Sequence, residues 1–299
     1  MSAQPLLYAP DGTLRAPWRL AGFIALTLAF LLLFGGVIAV AARRPPNIAE
    51  SSLMMIAALA ASHAIMLRGV DRLPWSAVGL DRGAASLPSL ASGLLLGALA
   101  IGVPSAVLLG VGLLDARPMP GDVGAWWSFA GQMALFLLPA ALWEELAFRG
   151  YPFAVLRRAI GAPGALLVTS VLFGAAHAHN QPGAILPLVL VTLAGVFLGV
   201  ILLATRSLWA AWMAHFSWNF VMAALLHTEV SGIPLSPPGY RVTDAGPDWL
   251  TGGSWGPEGG VPAGLGMIAV LAYLFARRTR ATAATGGDGG ARREEARPR

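Results

Sequence analysis

The sequence predicts an all-α, polytopic membrane bundle of about eight transmembrane helices with both termini in the cytoplasm. Three observations predict it. Of 299 residues, 56% are hydrophobic and only 12% charged, with a mean hydropathy of +0.67; a soluble domain carries about a quarter charged residues. Eight apolar segments recur along the chain, on the scale needed to cross a hydrocarbon layer about 30 Å thick. The arginines concentrate on one side of those segments, as topology rather than a soluble surface would demand.

The elements follow in order. Residues 1–19 form a cytoplasmic N-terminal segment. The first span, 20–42, is followed by Arg43-Arg44-Pro45-Pro46 instead of a small-residue cleavage site, so it is read as a span and not as a removable signal. Segments 51–67 and 88–114 complete an accessory region, 20–114. Segments 126–148, 163–180, 184–205 and 207–227 make up a core, 115–227, with the fourth and fifth separated by the turn signal Gly161-Ala162-Pro163-Gly164. The loop 228–260 is rich in Gly and Pro, net acidic, and external. The eighth span is 261–277. The tail 278–299 carries Ala, Thr, Gly and mixed charge, a composition that predicts a disordered cytoplasmic end.

Composition excludes several functions. With no cysteine, thiolate catalysis, disulfides and Cys-based metal sites are ruled out. All 20 basic residues are Arg, and the sequence pI is near 10.6. They are spread over short loops, so orientation explains them and nucleic acid is not a predicted partner. Arg15, Arg19, Arg68, Arg72, Arg82, Arg157, Arg158, Arg206 and the cluster Arg277, Arg278 and Arg280 fall on one side with the tail arginines. Only Arg43, Arg44, Arg117 and Arg241 fall on the other. The first side is the cytoplasm, which predicts a multi-pass protein of the cell (plasma or inner) membrane.

Charge inside a bilayer costs about 2.5–3.5 kcal/mol per residue on insertion scales, so an intramembrane ionisable group is read first as functional. Three helices carry such groups. In Glu144-Glu145-Leu146-Ala147-Phe148-Arg149, Glu145 and Arg149 are four apart and share a face, so they can pair. Glu144 points about 100° away around the helix, free of that pair and able to face a cavity. The bland alternative has all three at the interface, with Arg149 snorkelling. Phe173 and His177 again share a face, as do His215 and Asn219. Each pair alone could be no more than helix–helix glue. His63 reads as a packing histidine, His179 and His227 as interfacial, and Ser217 faces away from the His215 side. Glu144 lies 17 residues before Gly161 and His177 lies 16 after it, so a hairpin brings them to one depth, in the cytoplasmic half or middle of the membrane.

The ordered set Glu-Glu-x-x-x-Arg, Phe-x-x-x-His and His-x-x-x-Asn resembles the signature of the CPBP intramembrane proteases. That family takes in type II CAAX prenyl endopeptidases and the bacteriocin-processing Abi and lysostaphin-resistance-like proteins. The resemblance covers about 126–227. It implies an intramembrane endopeptidase acting on a membrane-associated, prenylated or leader peptide, with catalytic Glu144, His177, His215 and Asn219 and supporting Glu145, Arg149 and Phe173. Glu144 would be the base that activates water, and His177 would help to hold that water. His215 and Asn219 would stabilise the oxyanion. Glu145 and Arg149 would form an ion pair, with Glu145 also available to orient a histidine. A metal-independent mechanism is preferred; a zinc ion on Glu144, His177 and His215 stays open as the metalloprotease alternative. Two other readings remain: a non-catalytic immunity or scaffold protein, and a proton-coupled transporter, against which the lack of an internal repeat counts. The implied partners are a peptide or membrane-protein substrate and the lipid bilayer.

Overall fold

The computed structural model describes residues 4–10, 12–180 and 185–294. Each of the eight apolar segments contributes a helix: α1 (Ala16–Ala42), α2 (Ile48–Ile65), α3 (Leu87–Gly110), α4 (Val123–Arg149), α5 (Tyr151–Ala176), α6 (Ile185–Thr205), α7 (Leu208–Phe220) and α8 (Val261–Glu294). In an apolar medium the backbone must satisfy its own hydrogen bonds, and a helix does so within one segment. Local chemistry fixes the starts. Asn47 and Glu50 form a reciprocal capping box at α2, Asp122 accepts from the Ala125 N–H at α4, and Ser207 accepts from the Ala210 N–H at α7.

Among the described residues, six helical stretches are long and apolar enough to cross a membrane, which makes the chain a multi-pass membrane protein. One of the six, Val123–Ala176, contains both α4 and α5. The chain of α7 is carried on by a π-helical turn, Val221–Leu226. Large apolar side chains lie open on the outer faces, among them Leu32 (79% exposed) and Val40 (82%) of α1. Such a surface is suited to lipid and not to water.

The inner helices pack by small residues. Gly93 and Gly97 of α3 lie against the backbone of Ala210 and Ala214 of α7, where an added Cβ would overlap the carbonyl oxygens. Stripes of this kind let membrane helices approach closely, and here they fix α7, which carries two of the candidate site residues. Around Leu146, Tyr151, Phe197, Ile201 and Trp218 the bundle has a continuous buried core.

The connection between α4 and α5 differs from the expected simple turn. Besides the break at Gly161, which takes a left-handed φ of 75°, the chain breaks at Gly150, so 151–160 is a further helical piece before the reversal. Its cause is a close approach. A side chain at Gly150 would run into the His63 ring and the Leu146 carbonyl, while His63 Nε2 accepts a hydrogen bond from the Tyr151 N–H at 2.8 Å. Buried His63 is therefore a packing histidine that also satisfies the first donor of α5. On the same side, Asp71 receives Arg19 at 3.2 Å and the Tyr151 hydroxyl at 2.8 Å, tying α1 and the end of the second span to α5.

Three other regions depart from expectation. Helix α8 runs on to Glu294 through much of the segment that composition marks as disordered, although Gly286, Gly287, Gly289 and Gly290 within it are poor helix formers; residues 295–299 lie outside the described residues. His227, read from the sequence as interfacial, is buried within the protein, its Nδ1 on the Tyr240 carbonyl at 2.8 Å and its ring stacked on Tyr240. Finally, the loop 228–260 is folded. Its strand β2 (Tyr240–Asp244) pairs antiparallel with β1 (Leu114–Pro118), matching Ala116 to Val242, and its later part turns back to bury Trp255 and Glu258 against the bundle.

Candidate active site

Helix α4 supplies two adjacent carboxylates with contrasting surroundings. Glu145 is fully buried. Its Oε1 accepts from Arg149 Nη1 at 3.0 Å and from His215 Nδ1 at 2.9 Å. Arg149, 1% exposed, also donates from Nη2 to the Gly195 carbonyl of α6 at 3.3 Å, and its guanidinium lies 4.1 Å from the centre of the Phe173 ring. Inside a bundle a lone charge is costly. The opposed charge, the carbonyl and the aromatic face together make this one tolerable. Arg149 is thus drawn inward and does not snorkel.

Glu144 sits on the other side of the helix, as the 100° step requires. Its side chain is 17% exposed, and its Oε2 has no hydrogen-bond partner among the protein groups. That oxygen is 3.9 Å from His177 Nε2 and 3.9 Å from His215 Nε2. These separations exceed a direct hydrogen bond and suit three groups sharing one bridging water.

The orientation of each imidazole is set from behind. His177 forms the C-terminal cap of α5, and its Nδ1 hydrogen bonds the Phe173 carbonyl at 2.8 Å. A carbonyl can only accept, so that nitrogen carries the proton and neutral His177 offers a lone pair at Nε2. His215 Nδ1 is likewise committed to the Glu145 carboxylate. Phe173, 3% exposed, does more than pack: its carbonyl fixes His177 and its ring contacts both Arg149 and the edge of His215. Glu144, Glu145 and Arg149 of α4, Phe173 and His177 at α5, and His215 of α7 therefore meet in one cluster.

Asn219 lies one turn after His215 and joins His177 and His215 in lining a cavity of about 30 Å³, room on the scale of a water molecule. The other wall of that cavity has no counterpart among the sequence motifs. Glu258, in the loop 228–260, accepts from Trp218 Nε1 at 2.8 Å, from the Ser231 N–H at 2.7 Å and from the Ser231 hydroxyl at 2.8 Å. Trp255 packs on Phe173 and Val191, and Asn180 donates to the Ser231 carbonyl at 2.9 Å. The loop is therefore a roof. Trp218 lies next to the His215–Asn219 pair on α7, which was a usable signal; Glu258 had none, since its partners are far away in sequence. His179 is exposed, and Gln181 lies outside the described residues. The Ser217 hydroxyl donates to the Ala214 carbonyl at 3.1 Å in the α3 contact, away from the cavity.

For a metal, the donor set would be Glu144, His177 and His215. Each imidazole has its Nδ1 held by a carbonyl or carboxylate, the support usual for a metal-ligating histidine. The spacing is wider than a tetrahedral zinc site. Ligand atoms about 2.0–2.1 Å from zinc lie about 3.3 Å from one another, against 3.9 Å here. Among the described residues, no group of three or more His, Asp or Glu side chains is arranged to hold a metal ion.

No curated protein and no solved structure gives a significant match to the chain. One family model does match, over residues 126–221, which holds every motif residue of the cluster and stops short of the roof. Its description is Rce1-like, type II CAAX prenyl endopeptidase, the family that the three motifs resemble.

Proposed function

We propose that this chain is an intramembrane endopeptidase that hydrolyses a peptide bond of a membrane-associated substrate with a water activated by Glu144. The observation that carries the reading is the position of Glu144 Oε2, unpartnered and 3.9 Å from the Nε2 atoms of two histidines on two other helices. The cavity beside that point, lined by His177, His215 and Asn219 and not by Glu144 itself, holds the remaining groups. Glu144 and His177 both offer acceptors, so one water can donate a proton to each and turn a lone pair towards a substrate carbonyl. Glu144 takes the proton as the C–O bond forms. The amide of Asn219 is a donor for the oxygen that becomes negative, and so is His215 once protonated on both nitrogens, with carboxylates on either side to balance its charge. Collapse of the tetrahedral intermediate breaks the C–N bond, and the proton held by Glu144 passes to the leaving amine. Glu145, Arg149 and Phe173 position these groups and take no part in bond making. In this reading residues 115–227 are the catalytic core, residues 20–114 its accessory helices, and the protein works in the plasma or inner membrane.

The support of both Nδ1 atoms favours a second reading, in which Glu144, His177 and His215 draw in by about half an ångström to reach zinc distances and the ion supplies Lewis acidity. Removal of metal by a strong chelator separates the two. The metal-free reading expects full activity and substoichiometric zinc; activity lost on chelation and restored by zinc alone would decide for the metal. The function itself is tested by the membrane peptidome of cells expressing the wild-type chain or Glu144→Gln. Cleavage products confined to the wild type are expected. Identical peptidomes would refute the proposal.

A further inference from the structure

A second, much larger concavity lies away from the cluster of Glu144. It is a groove of about 1330 Å³ between α3 and α8, closed at one end by the α6–α7 turn. Most of its walls are apolar, and Leu99, Val103 and Leu265, each more than half exposed, open it sideways to the lipid. At the end towards the arginine-rich side it meets Arg206, from the turn between α6 and α7, and Arg277 and Arg278, from α8. Arg277 lies 5.8 Å over the Tyr273 ring, which also lines the groove. No Asp or Glu is among the lining residues.

Topology alone asks for arginines on one side of the membrane; it does not ask for three, from two separate elements, at the mouth of one groove. Guanidinium groups match phosphate oxygens in geometry and charge, and basic pockets between transmembrane helices on the cytoplasmic side take anionic headgroups. We propose that this groove is a binding site for an anionic glycerophospholipid of the cytoplasmic leaflet, with the acyl chains along α3 and α8 and the phosphodiester at Arg206, Arg277 and Arg278. The groove shares no lining residue with the cavity of the catalytic cluster; the proposal rests on the membrane topology and holds whether or not the chain is a protease.

The test uses the full-length protein purified in a neutral detergent. Phosphatidylglycerol, phosphatidylcholine with the same chains, and soluble glycerol 3-phosphate are added in turn. Thermal midpoint and lipid retained in native mass spectra are read. Phosphatidylglycerol should raise the midpoint and be retained roughly 100-fold better than phosphatidylcholine, at the strength expected of about three arginine contacts. Glycerol 3-phosphate should have no effect. Arg206→Gln/Arg277→Gln/Arg278→Gln should erase the preference while leaving weak retention of both lipids. Ala269→Trp, which fills the groove and leaves the charges, should abolish retention of both and covers the case in which the triple variant does not fold. Equal responses to the two lipids, a preference that survives in the triple variant, an effect of glycerol 3-phosphate alone, or retention undiminished in Ala269→Trp would each overturn the proposal.

Discussion

The walls of the cavity and its roof are built on different principles. The walls, within 126–221, are helices whose functional residues recur every fourth position: Phe173 with His177 and His215 with Asn219 line the cavity, and Glu145 with Arg149 supports them from behind. The roof, from 228 to 260, is irregular and is held by contacts between residues far apart in sequence, with Glu258 reaching both Ser231 and Trp218. The walls carry charge towards the reacting point; the roof carries charge that is fully spent on holding itself in place. A buried carboxylate is therefore not by itself a sign of chemistry. Glu258 has three donors, whereas Glu144 has a partnerless oxygen 3.9 Å from two imidazole nitrogens; Glu145 Oε2 also lacks a partner, but Glu145 is anchored through Oε1 to Arg149 and His215.

That comparison can be broken from either side. The largest effect among the wall residues beyond the base is expected at the amide. Asn219→Ala should lower kcat about 10²–10³-fold, the cost of an oxyanion donor, with an unchanged thermal midpoint and little change in KM. A variant with wild-type kcat would remove Asn219 from the oxyanion site. A smaller effect is expected at the roof. Glu258→Gln keeps one acceptor for the two donors of Ser231 and turns an N–H towards the Trp218 Nε1–H, which costs about 1–3 kcal/mol locally. Hydrogen exchange at the Trp218 indole N–H should speed up accordingly, while kcat falls less than in Asn219→Ala. A loss of activity as deep as that of Asn219→Ala, with exchange unchanged, would instead put Glu258 in the chemistry.

The same contrast explains what was legible in the sequence. Eight apolar runs announced eight helices, because bilayer thickness and backbone satisfaction leave a helical segment few alternatives. The pairing of Glu145 with Arg149 followed from their spacing, and the separation of Glu144 from it followed from the 100° step. The meeting of Glu144 with His177 followed from counting residues to Gly161, although the path between them includes the additional piece 151–160. The break at Gly150 was not legible, since it depends on the approach of His63 from α2, 88 residues from its partner Tyr151. The burial of His227 and the folding of 228–260 were missed for the same reason: Gly and Pro content describes local backbone freedom and says nothing of distant partners such as Tyr240 or Trp218.

The central claim is a division of labour between two neighbouring carboxylates. It is tested most directly by purified Glu144→Gln and Glu145→Gln in the same proteoliposome cleavage assay, each with its thermal midpoint. Glu144→Gln should lose about 10²–10⁴-fold in rate, the worth of a general base, at an unaltered midpoint. Glu145→Gln should lose stability by about 3–5 kcal/mol, because Arg149 is then buried without its countercharge. A Glu144→Gln protein that still cleaves, or a Glu145→Gln protein as stable as the wild type, would contradict the account.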